Sequence, residues 1–283
     1  EFLGIEVYVH ATFLLLVAWL GFRHYQAGDS LAATVSGIVF VLAIFVCVVL
    51  HEYGHALTAR RYGVRTRDII LLPIGGVARL ERIPDDPRQE LWVAIAGPAV
   101  NVVIAAVLFT WLHLTGSLAP TEQLAVGEGP FLQRLMLVNI FLVLFNLLPA
   151  FPMDGGRVLR AFLAMRLPYP RATQIAATVG QALALLLGFL GLWGNPFLLF
   201  IALFVWIGAA QESSLAQIKS ALGGIPLQHV MLTDFYRLEP DDPLARAVDL
   251  TLAGSQKDFP VVDGETVPWR SPSAGMDGVV FLN

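Results

Sequence analysis

The residues best suited to chemistry are two histidines four positions apart, His51 and His55, in the segment HEYGH. Side chains at this spacing lie one turn apart on the same face of a helix, so both imidazoles can reach one metal ion. His-Glu-x-x-His is also the spacing by which soluble metalloproteases hold zinc. Glu52 would lie about 100° round the helix from His51. It is therefore a candidate general base acting on water beside the metal, rather than a ligand.

A catalytic zinc site usually has three protein ligands, so one more must come from elsewhere in the chain. Asp154 is the candidate, in the segment NLLPAFPMDGGR at 146–157. Pro152 and Gly155 flank it, and such a break in the helical backbone can bend a carboxylate toward a neighbouring helix. From the spacing alone, an aspartate in an ordinary Asp-Gly turn at a helix end is an equally good interpretation.

The composition indicates that these residues belong to a membrane protein. The chain has 283 residues, of which 56% are hydrophobic and 14% are charged, and its mean hydropathy is +0.68. Soluble domains carry about 25% charged residues, so these charges could hardly cover a soluble surface. The net charge of -4 gives no reason to expect a nucleic-acid partner. The single cysteine, Cys47, excludes a disulfide framework and a cysteine-based zinc site.

The elements that must position the candidate residues are predicted to be membrane-spanning helices. A span needs about 20 largely apolar residues. Six segments come close to this requirement, namely residues 7–22, 31–50, 91–114, 131–148, 175–193 and 197–210. The histidine motif closes the second span, and Asp154 follows the fourth. Asn101, at membrane depth in the third, is expected to hydrogen-bond across helices and to support the site.

Arginines set the predicted orientation, because basic residues are retained in cytoplasmic loops. Seven arginines lie between the second and third spans and four between the fourth and fifth: Arg60, Arg61, Arg65, Arg67, Arg79, Arg82 and Arg88, then Arg157, Arg160, Arg166 and Arg171. Segments 115–130 and 194–196 contain no basic residue. We therefore expect a multi-pass protein of the cell (inner or plasma) membrane with both termini in the cytoplasm.

Two segments do not have the pattern of a span. Residues 65–81 are rich in β-branched side chains, are interrupted by Pro73 and by Gly75-Gly76, and predict a small membrane-associated β-hairpin. Residues 225–283 are polar and proline-containing, which indicates a separate soluble module. The expected fold is thus an all-α polytopic membrane core of about six transmembrane helices, residues 1–215. A small α+β cytoplasmic module, residues 216–283, follows it.

Four motifs together resemble the site-2 protease family of intramembrane zinc metalloproteases. They are HEYGH at 51–55, LLPIGGVARLE at 71–81, AGPAVN at 96–101 and NLLPAFPMDGG at 146–156, and they occur in the family's order. The resemblance covers roughly residues 1–215. It is greatest to the prokaryotic branch, which has a six-span core and a C-terminal CBS module.

The resemblance implies one catalytic Zn²⁺ and peptide hydrolysis within or near transmembrane segments, that is, regulated intramembrane proteolysis. The implied substrate is a single-pass membrane protein, such as an anti-sigma factor, a pro-sigma factor or a signal-peptide remnant. Residue by residue, it implies zinc ligands at His51, His55 and Asp154, and a catalytic glutamate at Glu52. It further implies substrate or oxyanion contacts at Asn146, Gly75 and Gly76. An exposed edge of the hairpin could hold an unwound substrate by strand addition, although a connector that pads the membrane surface fits the same segment.

The soluble tail resembles half of a CBS pair. Its motifs are PLQHVML at 226–232, DDPLARAVDL at 241–250 and DFPVVDG at 258–264, whereas the strand and helix expected after Gly264 are not evident. CBS pairs often bind adenine nucleotides, and a single motif can pair only with another subunit's copy. The tail therefore predicts an adenine-nucleotide site and a homodimer, and the alternative is a small docking domain without a ligand.

Two other functions fit part of the pattern. A metal transporter or metal-sensing membrane protein could use the same ligands without hydrolysis, and an inactive relative could bind transmembrane partners only. Glu52 distinguishes them, because only a hydrolase needs a base beside a closed site with three ligands. The sequence therefore favours an intramembrane zinc endopeptidase.

Overall fold

Helices dominate the first of the two units into which the chain divides, Glu1–Ala221 and Leu222–Asn283. The computed structural model describes residues 4–28, 30–73, 75–82, 84, 86–118, 129–222, 236–254, 256, 259–261 and 280–282. The helices of the first unit are α1 (Ala11–Gln26), α2 (Leu31–Arg61), α3 (Pro87–Leu114), α4 (Phe131–Asn146), α5 (Asp154–Ala164), α6 (Tyr169–Trp193) and α7 (Phe197–Leu222). Its strands are β1 (Glu6–Val9), β2 (Thr66–Leu72) and β3 (Gly75–Leu80).

Four of these helices, α2, α3, α6 and α7, are long and apolar enough to cross a membrane, and α4 is a shorter apolar helix. Their outward faces expose large apolar side chains, among them Phe200 at 70% and Leu203 at 58%. Water would disfavour so much exposed apolar surface, whereas lipid accommodates it. The protein is therefore a multi-pass membrane protein, as predicted. Six spans were predicted, whereas four of the described helices are long and apolar enough to cross, so the number six stays a prediction.

The start of the first predicted span was wrong. Residues 7–9 belong to strand β1, which pairs in parallel with β2 and places Val7 opposite Ile69. Helix α1 begins only at Ala11, after His10, whose Nδ1 accepts the backbone N–H of Thr12 at 3.3 Å. The alternating β-branched residues Ile5, Val7 and Val9 favour a strand once β2 offers a partner.

The predicted hairpin is confirmed as β2 and β3, which run antiparallel in a three-stranded sheet of order β1-β2-β3. Gly75 adopts a φ of 143°, a backbone conformation that favours glycine. Across the pair, Nε of Arg79 donates to Oδ1 of Asp68 at 2.6 Å. This hydrogen bond holds the pKa of the Asp68 carboxyl below its ordinary value.

The sheet is fixed against helix α2. The Tyr53 hydroxyl donates to the backbone oxygen of Ile5 at 3.3 Å, which ties α2 to the start of β1. Ile5, Tyr53, Ala56 and Ile69 form a buried apolar cluster between α2 and the sheet. The sheet therefore lies beside the helix that carries the histidine motif.

The second unit contains helix α8 (Leu244–Ala253) and an antiparallel pair, β4 (Phe259–Val261) and β5 (Val280–Leu282). Helix α8 falls in the DDPLARAVDL motif, where Nη1 of Arg246 donates to Oδ1 of Asp242 at 2.6 Å. The PLQHVML motif lies outside the described residues, and so do residue 258 and residues 262–264 of the DFPVVDG motif. The CBS-like module therefore stays a prediction. So does the predicted domain boundary after residue 215, which falls within α7.

Candidate metal centre

Three ligand-type side chains converge inside the first unit. His51 and His55 come from α2, Asp154 is the first residue of α5, and all three are buried. Nε2 of His51 and Nε2 of His55 each lie 3.1 Å from Oδ2 of Asp154, and the two nitrogens lie 3.1 Å from each other. The three donor atoms thus form an equilateral triangle.

This triangle fits a tetrahedral zinc ion. Zinc binds histidine nitrogen and carboxylate oxygen at about 2.0–2.1 Å, so two of its tetrahedral ligands lie roughly 3.3 Å apart. The observed separations of 3.1 Å are close to that value. Two histidines and one aspartate also leave a fourth position for water or substrate, as catalytic zinc sites require.

The outward nitrogens of both imidazoles are held by oxygen atoms. Nδ1 of His51 lies 2.5 Å from Oδ1 of Asn101, and Nδ1 of His55 lies 2.7 Å from the backbone oxygen of Val93. Since both partners are acceptors, each Nδ1 carries the proton. Each Nε2 then presents its lone pair to the metal, which is the usual arrangement of metal-binding histidines.

The hydrogen bond to His51 continues into a buried chain of asparagines. Nδ2 of Asn101 donates to Oδ1 of Asn139 at 2.8 Å, and Nδ2 of Asn139 donates to the Leu135 backbone oxygen at 2.8 Å. The expectation that Asn101 bonds across helices is confirmed. Sequence reasoning missed Asn139, although an asparagine in the middle of the apolar α4 could have drawn attention to it.

Glycines allow α2 and α3 to approach closely at the site. A β-carbon added at Gly97 would lie 2.2 Å from Nε2 of His55 and 2.6 Å from Nε2 of His51. One added at Gly54 would lie 2.6 Å from the backbone oxygen of Ala96. Gly97 therefore keeps clear the space where the two ligating nitrogens meet.

Glycines also position Asp154, because the loop before it folds back over the first turn of α5. A β-carbon at Gly155 would lie 2.2 Å from the Leu148 backbone oxygen, and one at Gly156 would lie 2.6 Å from the backbone of Ala150. On α7, one at Gly208 would lie 2.6 Å from Pro152. The carboxylate thus sits at a helix N-terminus, where the helix dipole favours negative charge.

Glu52 lies beside the ligand set and contacts the sheet. Its Oε2 accepts the backbone N–H of Ala78 on β3 at 3.2 Å. A β-carbon added at Gly76 would lie 2.8 Å from Cγ of Glu52, so β3 passes directly over this side chain. Asn146 is the half-buried last residue of α4, and Gly75 begins β3. The functions of Asn146, Gly75 and Gly76 stay predictions.

A buried site of two histidines and one aspartate on membrane helices, with a glutamate beside it, defines a membrane-embedded metalloprotease. Comparison with known proteins gives the family. The model described as "Peptidase family M50" matches residues 39–128 and 114–187, and this chain belongs to that family.

Relatives and a solved structure agree with this assignment. A zinc metalloprotease of Methanocaldococcus jannaschii is 36% identical over 265 residues, which cover 93% of this chain and 74% of the relative. A putative zinc metalloprotease of Synechocystis sp. is 31% identical over 285 residues, which cover 94% and 70% of the two chains. The solved site-2 protease from Methanocaldococcus jannaschii is 40% identical, with a TM-score of 0.55 over 75% of this chain and 93% of that one.

These matches confirm the resemblance seen in the sequence. The protein is an intramembrane zinc metalloendopeptidase of the site-2 protease type, and zinc is its cofactor. The alternative of a transporter or metal sensor is not favoured.

The asparagine chain leads to a first prediction. Replacing Asn139 by alanine should weaken zinc binding by about 10–100-fold, because Asn101 would lose the acceptor that orients it toward His51. The measurement is a competition titration of metal-free protein with a chelator. As a control, Thr178→Ala removes an exposed hydroxyl that bonds only within its own helix α6, and it should change nothing. Equal zinc affinity in wild type and Asn139→Ala would contradict the prediction.

Proposed function

We propose that His51, His55 and Asp154 hold the zinc ion and that Glu52 is the base for hydrolysis of a peptide bond within or near a transmembrane segment. The observation that carries this proposal is the triangle of donor atoms with sides of 3.1 Å. When bound there, zinc supplies Lewis acidity that polarises the scissile carbonyl and lowers the pKa of water toward neutrality.

The chain's own residues transfer the proton and hold the two imidazoles in place. The N–H of Ala78 occupies Oε2 of Glu52, which leaves Oε1 free to accept a proton from water. The same oxygen can return the proton to the amine nitrogen that leaves when the peptide bond breaks. The Nδ1–H groups of His51 and His55 donate to oxygen acceptors throughout the reaction. The two rings therefore keep their orientation, with the Nε2 lone pairs toward the metal position.

The substrate must reach these groups in an extended form, because a helix holds its peptide oxygens in hydrogen bonds. Strand β3 forms one side of the sheet, and its Ala78 N–H points toward Glu52. A substrate segment added to this edge would therefore pass beside the base. We assign Gly75 and Gly76 to this contact, because they add no side chain that would block it. We assign to the side-chain amide of Asn146 a hydrogen bond to the substrate carbonyl oxygen.

We propose six membrane crossings, by α1, α2, α3, α4, α6 and α7, with both termini in the cytoplasm. Helices α1 and α4 have 16 residues each, about 24 Å of helix against a hydrocarbon core of about 30 Å. The loop 147–153 continues α4 and contacts α5, α6 and α7. Its residues Ala150, Phe151 and Met153 are buried, and non-helical backbone at membrane depth is tolerated where it is buried in protein. The arginines at the end of α2 support the orientation.

The soluble tail and the partners complete the proposal. The substrate class is a single-pass membrane protein of the cell membrane, such as an anti-sigma factor, a pro-sigma factor or a signal-peptide remnant. We propose that residues 216–283 form a CBS-like regulatory module that binds an adenine nucleotide across a homodimer. The order of its three sequence motifs supports this assignment.

Reconstitution tests the proposed function. The full chain and a single-pass substrate are placed in the same liposomes, and the products are mapped by mass spectrometry. We expect cleavage within or near the transmembrane segment, loss of cleavage after chelation and its recovery when zinc is restored. Asp154→Asn should not recover at the zinc concentration that restores wild type. Cleavage that survives chelation, or full recovery of Asp154→Asn, would show that the proposed site is wrong.

A further inference from the structure

Arg160 on α5 is a buried charge that the chemistry of the metal centre does not use. Its side chain is 1% exposed. Nε donates to Oε1 of Glu90 on α3 at 2.8 Å, and Nη2 lies 2.6 Å from the same oxygen. Nη1 donates to Oε2 of Glu212 on α7 at 2.7 Å. Arg160 and Glu90 are buried and Glu212 is partly buried. Burying such charges is costly and contributes little net stability, so the arrangement calls for another explanation.

The guanidinium of Arg160 also contacts two aromatic rings. Its central carbon lies 5.0 Å from the centre of the Phe151 ring and 5.2 Å from the centre of the Tyr169 ring. Phe151 is fully buried in the loop that leads to Asp154, three positions before it. Arg160 therefore touches the segment that delivers the third metal ligand.

Glu90 belongs to the face of α3 that holds both histidines. The buried positions Glu90, Val93, Gly97 and Asn101 recur every three or four residues along this helix, so they share one face. Val93 accepts the hydrogen bond of His55, Gly97 lies against both imidazoles, and Asn101 holds His51. A change in the position of Glu90 therefore bears on the residues of the same helix face that support the histidines.

Helices α3 and α5 are consequently coupled at two places, one of them through the histidines of α2. At one, Asp154 meets the histidines that α3 supports, and at the other, Arg160 meets Glu90. Arg160 lies six positions after Asp154 on α5, which is about 9 Å along the helix axis. On α7, Glu212 lies one turn beyond Gly208, which packs against Pro152 in the loop before Asp154. Arg160 therefore joins the three helices that surround the Asp154 side of the site.

We propose that Arg160 is a positioning residue for the metal centre. Its guanidinium, fixed between Glu90 and Glu212, sets the register of α5 against α3 and so keeps Oδ2 of Asp154 within 3.1 Å of both ligating nitrogens. Arginine suits this function because its planar fork can bind two carboxylates in fixed directions, whereas lysine offers one point charge. The inference rests on the proposed ligand set.

Two variants separate positioning from a merely structural function. Arg160→Met with Glu90→Gln and Glu212→Gln removes the arginine and both of its carboxylate partners together, and such neutral replacements often preserve stability. Arg160→Lys keeps the buried positive charge and loses the fork, and it serves as the second variant if the neutral replacement does not fold. Arg134→Met is the matched control. It removes a partly buried arginine that lies 4.0 Å from the Phe40 ring, away from the metal centre.

The readouts are zinc affinity of the full chain in detergent, by chelator competition, and the visible absorption spectrum of bound Co²⁺. We expect both Arg160 variants to unfold close to the wild-type temperature when metal-free. They should nevertheless bind zinc about 10–100-fold more weakly, the usual effect of losing an outer support. Their Co²⁺ spectra should differ from wild type, because the spectrum reports ligand geometry. Arg134→Met should match wild type in both readouts.

The inference is overturned if either Arg160 variant binds zinc with wild-type affinity, or if Arg134→Met weakens binding equally. Asp154→Asn in the same titration separates this inference from the proposed function. If Asp154→Asn binds zinc as tightly as wild type, the proposed ligand set fails. If it loses zinc while the Arg160 variants keep theirs, only the positioning function of Arg160 fails.

Discussion

Replacing Glu52 by glutamine should leave the protein loaded with zinc and slow substrate cleavage by about 10²- to 10⁴-fold, the usual contribution of a general base. Glutamine has the shape of glutamate, and its amide oxygen can still accept the Ala78 N–H that holds the native carboxylate. It cannot take a proton from water at neutral pH. Catalysis should therefore fall while metal binding and fold persist.

The measurement pairs cleavage of a reconstituted transmembrane substrate with the zinc content of the same protein preparation. Glu81→Gln is the matched control, since that side chain is exposed just after β3, and it should cleave at the wild-type rate. Cleavage by Glu52→Gln at an undiminished rate would refute the assignment of the base. A parallel loss of zinc and activity would instead mean that Glu52 holds the metal.

The sequence predicted those parts of the site whose geometry is local. His51 and His55 lie on one helix, so their four-residue spacing fixes their relation whatever surrounds them. Spacing alone does not assign Asp154, because it lies 99 positions after His55 in the chain. The proline and glycine residues around it indicated a bend, and the family resemblance indicated its purpose. The hairpin at 65–81 was equally local and was predicted correctly.

Residues whose partners are distant in sequence were missed or only partly anticipated. Arg160 pairs with Glu90 across 70 positions, and Asn101 meets Asn139 across 38. No periodicity reveals such pairs, since each member is defined by a packing that neither segment encodes alone. The acceptor for His55 is the backbone oxygen of Val93, which carries no side-chain identity at all. Strand β1 was mistaken for helix for the same reason, because its partner β2 lies about 60 residues later.

The support of the metal centre is therefore spread over helices that each contribute one small feature. Helix α2 supplies two of the proposed ligands, α3 supplies a glycine, a backbone oxygen and an asparagine, and α5 supplies the carboxylate. Most of these features leave space for the imidazoles or orient them by hydrogen bonds, and they carry no charge. Consequently, zinc affinity should be sensitive to substitutions that never touch the metal.

The sharpest case is Gly97→Ala, which should reduce zinc affinity by more than the about 100-fold limit expected for loss of an outer hydrogen bond. The added methyl group would lie 2.2 Å from Nε2 of His55 and 2.6 Å from Nε2 of His51, so both imidazoles must move. Alanine itself favours helix over glycine, by about 1 kcal/mol, so the loss would not come from helix propensity.

Gly188→Ala controls for the substitution itself. Gly188 lies within α6, and its added methyl group would meet only the β-carbon of Ala202, at an ordinary 3.6 Å. Zinc titration and thermal unfolding of the two metal-free variants distinguish the site from the fold. Gly188→Ala should bind zinc as wild type does, while Gly97→Ala should fold and fail to bind. If Gly97→Ala binds zinc normally, then α2 and α3 can separate without cost to the site, and the tight α2–α3 approach does not hold the two histidines.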